Sequence, residues 1–151
     1  MEAITGGPVV NESLETSVEG VFACGNVLHV HELVDFVSEE AAMAGKYAVR
    51  YIKEDTNTEG RRVDIVAAAG VRYTVPKYLR PANMEDTLTV RFRVDGVYKN
   101  CYVSTYFDEE RVMRRKRPVV APGEMEEVKL SKERLVQYPN LKTITIKIEE
   151  A

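Results

Sequence analysis

Hydrophobic residues change their spacing along the chain, from a helical period in the first third to alternation in the remainder. Over residues 33–53 the apolar side chains recur every three or four positions, which predicts an amphipathic helix. From residue 63 onward, short runs alternate apolar with polar residues, as strands with one buried and one solvated face do. The pattern therefore predicts an α+β fold. The expected buried face of the helix comprises Val34, Val37, Ala41, Ala44, Ala48 and Ile52.

About seven short strands are predicted after the helix. The clearest spans Thr87–Val94, in which apolar and polar residues alternate throughout. Asp95-Gly96 then marks a hairpin turn, and residues 97–107 are the expected partner strand. Short strands separated by turns predict a small antiparallel β-sandwich of the immunoglobulin or fibronectin-III type. The remaining strands are expected at residues 63–66, 71–75, 111–120, 125–130 and 143–149, with a helical turn at 131–135.

A polar run divides the chain. Residues 54–60 contain no apolar side chain, which indicates a linker. The expected organisation is a first unit at residues 1–54, a linker at 55–62 and a β-sandwich domain at 63–151. A helix with one or two strands cannot form an independent core. We therefore expect Ala41, Ala44 and Ala48 to pack on the sandwich or on a second copy of the chain.

Composition and charge narrow the classes of function. The chain has 151 residues, of which 44% are hydrophobic and 30% are charged, as is ordinary for a soluble globular protein. Its net charge of −3 argues against a general nucleic-acid or anionic-membrane binder. We recognise neither a signal peptide nor a membrane-spanning apolar run, and Cys24 and Cys101 lie too far apart for a disulfide framework. We therefore expect a cytoplasmic protein with no nucleic-acid and no membrane partner.

The strongest motif lies at residues 16–26, Thr-Ser-Val-Glu-Gly-Val-Phe-Ala-Cys-Gly-Asn. Residues 21–24 predict a buried strand, and Gly25 predicts a turn that permits a close approach to the backbone. The predicted helix then presents its N-terminus to this turn. Its free N–H groups and partial positive charge suit an electron-rich or anionic ligand. The residues alone leave open a second interpretation, a strand–turn–helix packing unit with no ligand.

This segment resembles the second flavin-binding motif, T-x3-G-[VI]-[FY]-A-x-G-D, of FAD-dependent pyridine-nucleotide oxidoreductases of the thioredoxin-reductase and NAD(FAD)-dependent dehydrogenase type. Asn26 replaces the usual Asp, and the matching residues are Thr16, Gly20, Val21, Phe22, Ala23 and Gly25. The resemblance extends over residues 6–52 and implies the C-terminal piece of an FAD-binding, Rossmann-like domain. It implies that Gly25 allows close approach and that Asn26 takes the place of the Asp. It further implies that the backbone N–H groups around Val34 and Asp35 face the flavin and stabilise negative charge on the reduced ring.

The first half of such a site is missing from the sequence. No G-x-G-x-x-G turn occurs, so the chain has neither an NAD site nor the first FAD half-site. The resemblance therefore implies a C-terminal fragment of a flavin-dependent, NAD(P)-linked oxidoreductase that is inactive alone. FAD would bind in the intact flavoprotein, NAD(P) is implied for the parent only, and the partner would be the upstream portion or a partner subunit. The alternative is a non-catalytic β-sandwich module for interaction or oligomerisation, with a homo-oligomer as one form.

Two histidines follow the flavin-like motif. His29 and His31 have Cys24, Glu32 and Asp35 nearby in sequence, and imidazole, thiolate and carboxylate groups together bind zinc or a redox metal. One histidine is alternatively a proton donor beside the flavin or substrate, because the pKa of His lies near neutrality. A third interpretation, which the sequence favours, is loop histidines with satisfied hydrogen bonds. Cys24 itself is expected to be a small buried apolar side chain.

A basic cluster follows three acidic residues late in the chain. The cluster could dock an anion or a partner, or it could belong to an edge strand, where charges deter unwanted pairing. The adjacent acids and the negative net charge favour the edge strand. The cations are Arg111, Arg114, Arg115, Lys116 and Arg117.

Overall fold

Eight strands and two α-helices form the described part of the chain, residues 1–54 and 60–151 of a computed structural model. Helix α1 spans Val34–Glu54, and the short helix α2 spans Lys132–Val136. The predicted helices are confirmed, and the strands predicted after residue 62 are each confirmed to within a residue at their ends. Within these described residues, neither helix is long and apolar enough to cross a membrane. The strands are β1 Val63–Ala67, β2 Val71–Val75, β3 Tyr78–Leu79, β4 Thr87–Val94, β5 Tyr98–Phe107, β6 Glu110–Val120, β7 Glu126–Ser131 and β8 Thr143–Glu150.

Two β-sheets form a mixed α/β architecture that is rich in strands and compatible with a sandwich. The larger sheet has the strand order β3-β1-β8-β5-β6, and the smaller sheet has the order β2-β4-β7. The expected purely antiparallel pairing is wrong at one place, because β1 and β8 run parallel, with Ile65 opposite Ile144. Parallel neighbours need a long connection, and here almost all of the strands lie between β1 and β8 in sequence.

The turn at Asp95-Gly96 does not form the predicted hairpin. Strand β4 pairs with β2 on one edge and with β7 on the other, whereas β5 pairs with β6 and β8 in the larger sheet. Because both edges of β4 are occupied, the chain crosses to the larger sheet after this turn. The Asp95 N–H donates to the Gly70 carbonyl at 3.0 Å, and the Asp95 carboxylate accepts from the Tyr98 hydroxyl at 2.5 Å.

The main core contains apolar side chains from both sheets. Val90, Phe92 and Val94 of β4 are fully buried, as their alternation predicts. The opposite face of β4 is not solvated as expected, since Arg91 is only 7% exposed. Residues 1–54, which we call the N-terminal region, cover this face, and Arg91 forms an ion pair there with Glu39 of α1. We call residues 60–151 the strand region.

Helix α1 packs on the rest of the chain, as expected. Ala44 is only 7% exposed and joins a second, smaller core. The buried stripe, however, is centred on Glu40, Ala44 and Tyr47, while Val34 and Ile52 at the ends of the predicted face are both 79% exposed. Ala41 is also exposed and Ala48 is only half-buried, so Ala44 is the one buried residue of the predicted face. The prediction fails because the buried stripe includes a carboxylate that a hydrophobic pattern assigns to the solvent.

Residues 21–24 do not form the predicted buried strand. They contain one isolated bridge, between Glu15 and Phe22. The Thr16 N–H donates to the Val21 carbonyl at 2.8 Å, so the segment folds back on its own neighbours instead of joining a sheet. Two short stretches without a third strand do not make a stable sheet, and apolar side chains of this segment contribute to the second core instead. That core comprises Val10, Leu14, Ala23, Leu28 and Ala44.

The linker predicted at residues 55–62 lies largely outside the described residues, which omit 55–59. Arg61 is described, and it donates to the carbonyls of Leu141 at 2.9 Å and Leu135 at 3.3 Å. The end of the predicted linker is thus attached to the strand region. The division into units at 1–54 and 63–151 stays a prediction.

Strand β6 lies at one edge of the larger sheet. Its cations pair within the chain, since Arg115 and Arg117 bond Glu126 at 3.4 and 2.9 Å and Arg111 lies 3.7 Å from Glu149. The edge-strand interpretation of the basic cluster is therefore confirmed.

Candidate functional site

The flavin-like motif contains a tight turn at Gly25. This glycine is buried, has a φ of 72° and begins a 3₁₀ turn over Gly25–Val27. Its carbonyl accepts from the N–H of Leu28 at 3.0 Å. A side chain is strained at this φ, and its Cβ would lie 3.4 Å from Val37 Cγ1 on α1. The structure therefore has the predicted glycine turn, in contact with the helix that follows.

The other predicted flavin contacts lie around the start of α1. Asn26 is exposed, and its Oδ1 accepts a hydrogen bond from the His31 N–H at 3.4 Å. Val34 and Asp35 are the first two residues of α1, and both are exposed. The first N–H groups of an α-helix have no partner within the helix. Gly25, Asn26, Val34 and Asp35 are thus brought to one end of α1, and their role as FAD contacts stays a prediction.

A close approach at Gly7 supports the same turn. A Cβ on Gly7 would lie 2.2 Å from the carbonyl oxygen of Val27, which no side chain can tolerate. Gly7 is buried, and it packs the N-terminal turn directly on the 3₁₀ turn. The sequence did not identify Gly7 as a contact residue, because a close approach between distant backbones leaves no local pattern.

A buried carboxylate shared by two imidazoles lies beside this turn. Glu40 Oε1 is 3.4 Å from His29 Nε2, and Glu40 Oε2 contacts His31 Nε2. The side chains of His29, His31 and Glu40 are 1%, 0% and 3% exposed. One potential ligand atom from each residue lies within 4.8 Å of the others. The three residues, which we call the His–Glu cluster, therefore form one compact polar group inside the protein.

The loop after the 3₁₀ turn positions both histidines. His29 and His31 are separated by the exposed Val30, and both imidazoles are turned into the protein interior. Their rings are 4.4 Å apart in an edge-to-face arrangement. Glu40 reaches them from the second turn of α1, where the helix is covered by the loop.

Tyr73 connects the cluster to strand β2. Its hydroxyl is 3.2 Å from His29 Nδ1, and the two rings are 5.6 Å apart. Burial raises the pKa of Tyr73 above its ordinary value of 10.0, so the hydroxyl stays protonated at neutral pH. His29 Nδ1 is thereby occupied, and its Nε2 faces Glu40.

Two arginines of β4 hold the helix and the loop against the smaller sheet. Arg91 Nη2 bonds Glu39 Oε2 at 2.5 Å, and its guanidinium lies 5.1 Å from the centre of the Phe36 ring. Arg93 Nη2 donates to Glu32 Oε2 at 2.9 Å. Glu32 Oε1 accepts from the Met125 N–H at 2.7 Å. The His–Glu cluster therefore lies at a seam that is held by charged contacts on the strand-region side.

The protonation states of the cluster follow from burial and neighbours. Burial lowers the pKa of His31 below 6.5, and the attraction of Glu40 only partly opposes this effect. Burial alone would raise the pKa of Glu40, but its close contacts and charge interactions with His29 and His31 outweigh this effect, so the Glu40 pKa lies below 4.5. At neutral pH the cluster therefore contains an ionised carboxylate beside a neutral His31 imidazole.

Two imidazole nitrogens of the cluster are unpaired. Within the described residues, His29 Nε2 and His31 Nδ1 are buried and make no hydrogen bond. An unsatisfied buried polar atom costs about 1–3 kcal/mol. The interpretation of both histidines as fully hydrogen-bonded is therefore wrong. Their burial also gives no support to a proton donor facing an external ligand.

The sequence predicted two of the three cluster residues, His29 and His31, but the other candidate ligands were wrong. Glu32 bonds Arg93 and Met125 instead, Asp35 is exposed, and Cys24 packs against the second core. Glu40 was missed, although its spacing from Ala44 places both on one face of α1. Cys101 is 1% exposed in the main core, as an apolar side chain would be.

No protein-family model matches the chain, and searches among curated proteins and among solved structures return no significant match. The resemblance to flavin-dependent oxidoreductases therefore rests on the motif residues alone.

Proposed function

We propose that this chain contributes the second FAD-binding motif of a flavin-dependent, NAD(P)-linked oxidoreductase. In this proposal the N-terminal region is the C-terminal piece of a Rossmann-like FAD-binding domain, and the strand region is an appended sandwich of the immunoglobulin or fibronectin-III type. The observation that carries the proposal is the left-handed glycine turn at Gly25, which lies against Val37 near the start of α1.

Exposed apolar side chains around one groove of the N-terminal region support a missing partner. Most of the exposed large apolar side chains belong to the N-terminal region, and an open groove there is lined by Pro8, Val18, Val21 and Phe22 among others. Contiguous exposed apolar surface marks a binding face. A piece of a domain that lacks its remaining strands would expose such a face to the upstream portion of the flavoprotein or to a partner subunit. The exposed side chains are Met1, Ile4, Val18, Val21, Val27, Val30, Leu33, Val34, Val49 and Ile52.

The residues at the turn fit a flavin contact. Gly25 would permit close approach, and Asn26 would offer an amide in place of the usual carboxylate, with hydrogen bonds but no charge. The backbone N–H groups of Val34 and Asp35 would stabilise negative charge. FAD, when bound, supplies hydride transfer to or from nicotinamide. The chain alone would be inactive, because its sequence has no G-x-G-x-x-G turn.

An FAD titration followed by flavin fluorescence tests the proposal. The chain would be titrated alone and then mixed with the flavoprotein portion that contains the G-x-G-x-x-G turn. We expect FAD binding only in the mixture. Binding in neither sample would contradict the proposal, and flavin retained in stoichiometric amount by the chain alone would show that the half-site interpretation is wrong.

Two matched variants make the titration specific to the motif. Asn26→Asp restores the acidic residue of the family motif at an exposed position. We expect the mixture to bind FAD about tenfold more tightly, the effect of one charge-assisted contact. Asn140→Asp adds the same charge at an exposed position of the strand region and should leave FAD affinity unchanged. Equal effects of both variants would indicate a general charge effect and remove the support for Asn26.

The alternative function is a non-catalytic sandwich module that binds another chain. The charged edge strand β6, where such a chain would pair, does not support it. Charged edge strands deter pairing with other chains, and the cations of β6 already pair with Glu126 and Glu149. Arg114 also stacks 3.5 Å from the centre of the Tyr102 ring. Homo-oligomerisation through the sandwich stays a prediction.

A further inference from the structure

The His–Glu cluster combines three features of a metal site: two imidazoles, a carboxylate and close convergence. We infer that His29, His31 and Glu40 bind one divalent transition-metal ion of the zinc class. Their ligand atoms lie within 4.8 Å of one another, and the three side chains are almost completely buried. The inference does not depend on the proposed flavin function, since none of these three residues is among the predicted FAD contacts.

The distances suit a small ion after a minor adjustment. Nitrogen and oxygen ligands lie about 2.0–2.2 Å from Zn²⁺, so two ligands of a tetrahedral site are about 3.3–3.6 Å apart. His29 Nε2 and Glu40 Oε1 are already 3.4 Å apart. His31 Nε2 and Glu40 Oε2 are in direct hydrogen-bond contact, and the ion would take the place of this hydrogen bond, with the His31 proton moved to Nδ1.

His29 Nδ1, the nitrogen that would not bind the metal, has the hydrogen-bond partner that a metal-bound imidazole usually has. Ligating histidines are oriented by a hydrogen bond from the nitrogen that does not bind the metal. His29 Nδ1 bonds the buried hydroxyl of Tyr73 at 3.2 Å, which leaves Nε2 unpaired and facing Glu40. Asn26 Oδ1 accepts from the backbone N–H of His31 and holds the loop over the helix. The His29 imidazole is therefore oriented by a group outside the ligand set, whereas His31 Nδ1 has no hydrogen-bond partner among the described residues.

The negative charge of Glu40 is not balanced by a cationic side chain of its own, so a cation could bind beside it. Arg91 affects His31 electrostatically, but its charge is matched by Glu39 at 2.5 Å. Among the described residues, the ion-pair partners of Glu40 are His29 and His31. A buried carboxylate needs a compensating positive charge or a proton, and a divalent ion would provide that charge.

The ligand set selects the class of metal. Calcium and magnesium take oxygen ligands, whereas imidazole with a carboxylate suits zinc and the neighbouring divalent ions Fe²⁺, Co²⁺ and Ni²⁺. Within the described residues the cluster offers three protein ligands and no thiolate. An ion at this place would tie the loop at 25–33 to α1 and, through Tyr73, to β2.

A Co²⁺ titration of untagged, chelator-treated protein tests the inference. We expect one equivalent of Co²⁺ to bind with visible absorption of a four- or five-coordinate site, Zn²⁺ to displace it, and Mg²⁺ to have no effect. Zn²⁺ should also raise the unfolding temperature, because an ion that binds only the folded state stabilises it. Absence of saturable binding of both Co²⁺ and Zn²⁺ to the wild-type protein would overturn the inference.

Three variants separate the cluster from its surroundings. Glu40→Gln should weaken Zn²⁺ at least about tenfold, and Tyr73→Phe should weaken it about tenfold, the usual range for a group that orients a ligand. Glu54→Gln changes an exposed carboxylate at the far end of α1 and should leave Zn²⁺ affinity within about twofold since Glu54 is not a ligand. Wild-type affinity in Glu40→Gln would contradict the site.

Cys24 provides a second check that does not depend on folding of the Glu40 variant. This thiol is free and half-buried, and it is the nearby sulfur that could capture zinc instead. X-ray absorption of the Zn²⁺-loaded wild-type protein should show two imidazoles and no sulfur, and Cys24→Ser should bind Zn²⁺ as the wild type does. Sulfur in the coordination sphere, or ligation by oxygen alone, would overturn the assignment.

Discussion

The strand region and the N-terminal region are stabilised by different kinds of contact. Among the described residues, buried side chains of the strand region are overwhelmingly apolar, whereas in the N-terminal region buried polar side chains are as numerous as apolar ones. Hydrophobic burial is non-directional and tolerates rearrangement, but a buried polar group requires a partner at a defined place. The N-terminal region therefore depends on specific pairs with the smaller sheet.

Glu12 illustrates this dependence. The residue is fully buried, and its carboxylate accepts from Asn83 Nδ2 at 3.0 Å and from the Arg80 N–H at 3.2 Å. Both partners belong to the strand region. Together with the Arg91–Glu39 and Arg93–Glu32 pairs, Glu12 makes the boundary between the two regions a polar interface. Changes in the strand core should therefore affect the whole protein, while changes at this interface should affect the N-terminal region first.

The largest expected effect comes from the main core. Phe92→Ala removes a fully buried ring from β4 and should lower the free energy of unfolding by about 3–5 kcal/mol. Urea unfolding followed by circular dichroism measures this loss. Val97→Ala, at an exposed position next to β5, should change stability by no more than about 0.5 kcal/mol. If Phe92→Ala cost as little as Val97→Ala, the assignment of the main core would be wrong.

The next effect concerns two glycines of the N-terminal region with opposite expected signs. Gly7→Ala places a Cβ 2.2 Å from the Val27 carbonyl oxygen and should destabilise the region by about 1–3 kcal/mol, the range for overpacking. Gly45→Ala, within α1 and with no atom within 4 Å of its Cβ, should stabilise it by about 0.5–1 kcal/mol. Hydrogen exchange of the α1 amides measures both changes. The same sign for both variants would show that the contact of Gly7 with the 3₁₀ turn does not determine stability.

Local periodicity was sufficient to predict the elements of the strand region except β3, a strand of two residues. Strand β4 was predicted at its observed bounds. In an alternating strand the apolar residues mark the face toward the core and the polar residues mark the opposite face. The pairing of strands was not predictable in the same way. Alternation is identical in either sheet, so nothing local indicated that β5 would leave β4, or that β1 and β8 would pair in parallel.

The candidate site was less predictable for a related reason. His29 and His31 were selected by residue type and proximity in sequence, and so were Cys24, Glu32 and Asp35. Glu40 was excluded because a charged residue on an amphipathic helix is assigned to the solvent. Only the fold of the loop over α1 brings Glu40 to the imidazoles. The burial of the polar residue Glu40 thus explains two differences from the prediction: Glu40 was not among the candidate ligands, and the buried stripe of α1 differs from the predicted apolar face.

The polar interface should respond to pH through Glu12. Burial raises the pKa of Glu12 above 4.5, and the hydrogen bonds from Asn83 and Arg80 only partly oppose it. The folded state therefore holds a proton on Glu12 over a pH range in which the unfolded chain has lost it. This contribution is fully present below pH 4.5 and is lost as the pH rises through the folded-state pKa.

A comparison of wild type with Glu12→Gln isolates this effect from other titrating groups. The free energy of unfolding of the wild type should fall relative to that of Glu12→Gln as the pH rises from about 4.5 to about 7. Glu133→Gln changes an exposed carboxylate on α2 and should show a constant difference. A constant difference for Glu12→Gln as well would mean that Glu12 titrates equally in the folded and unfolded states.

The smallest expected effect is at the pair that joins the histidine loop to β4. Glu32→Gln removes the charge opposite Arg93 at 2.9 Å but keeps an oxygen for the Met125 N–H. Because both side chains are partly solvated, the loss in the free energy of unfolding should be about 0.2–1 kcal/mol and should shrink at high salt.

The control variant is Glu54→Gln, which removes the exposed partner of Arg50 within α1. It should lower stability without changing the Arg93–Glu32 contact between the regions. Hydrogen exchange separates the two, since only Glu32→Gln should increase exchange in the 29–33 loop while leaving α1 unchanged. If both variants increased exchange along α1 equally, the Arg93–Glu32 pair would not be part of the interface. The polar contacts that hold the N-terminal region would then be the remaining pairs, among them Glu12 with Asn83, Arg50 with Asn83 and Arg91 with Glu39.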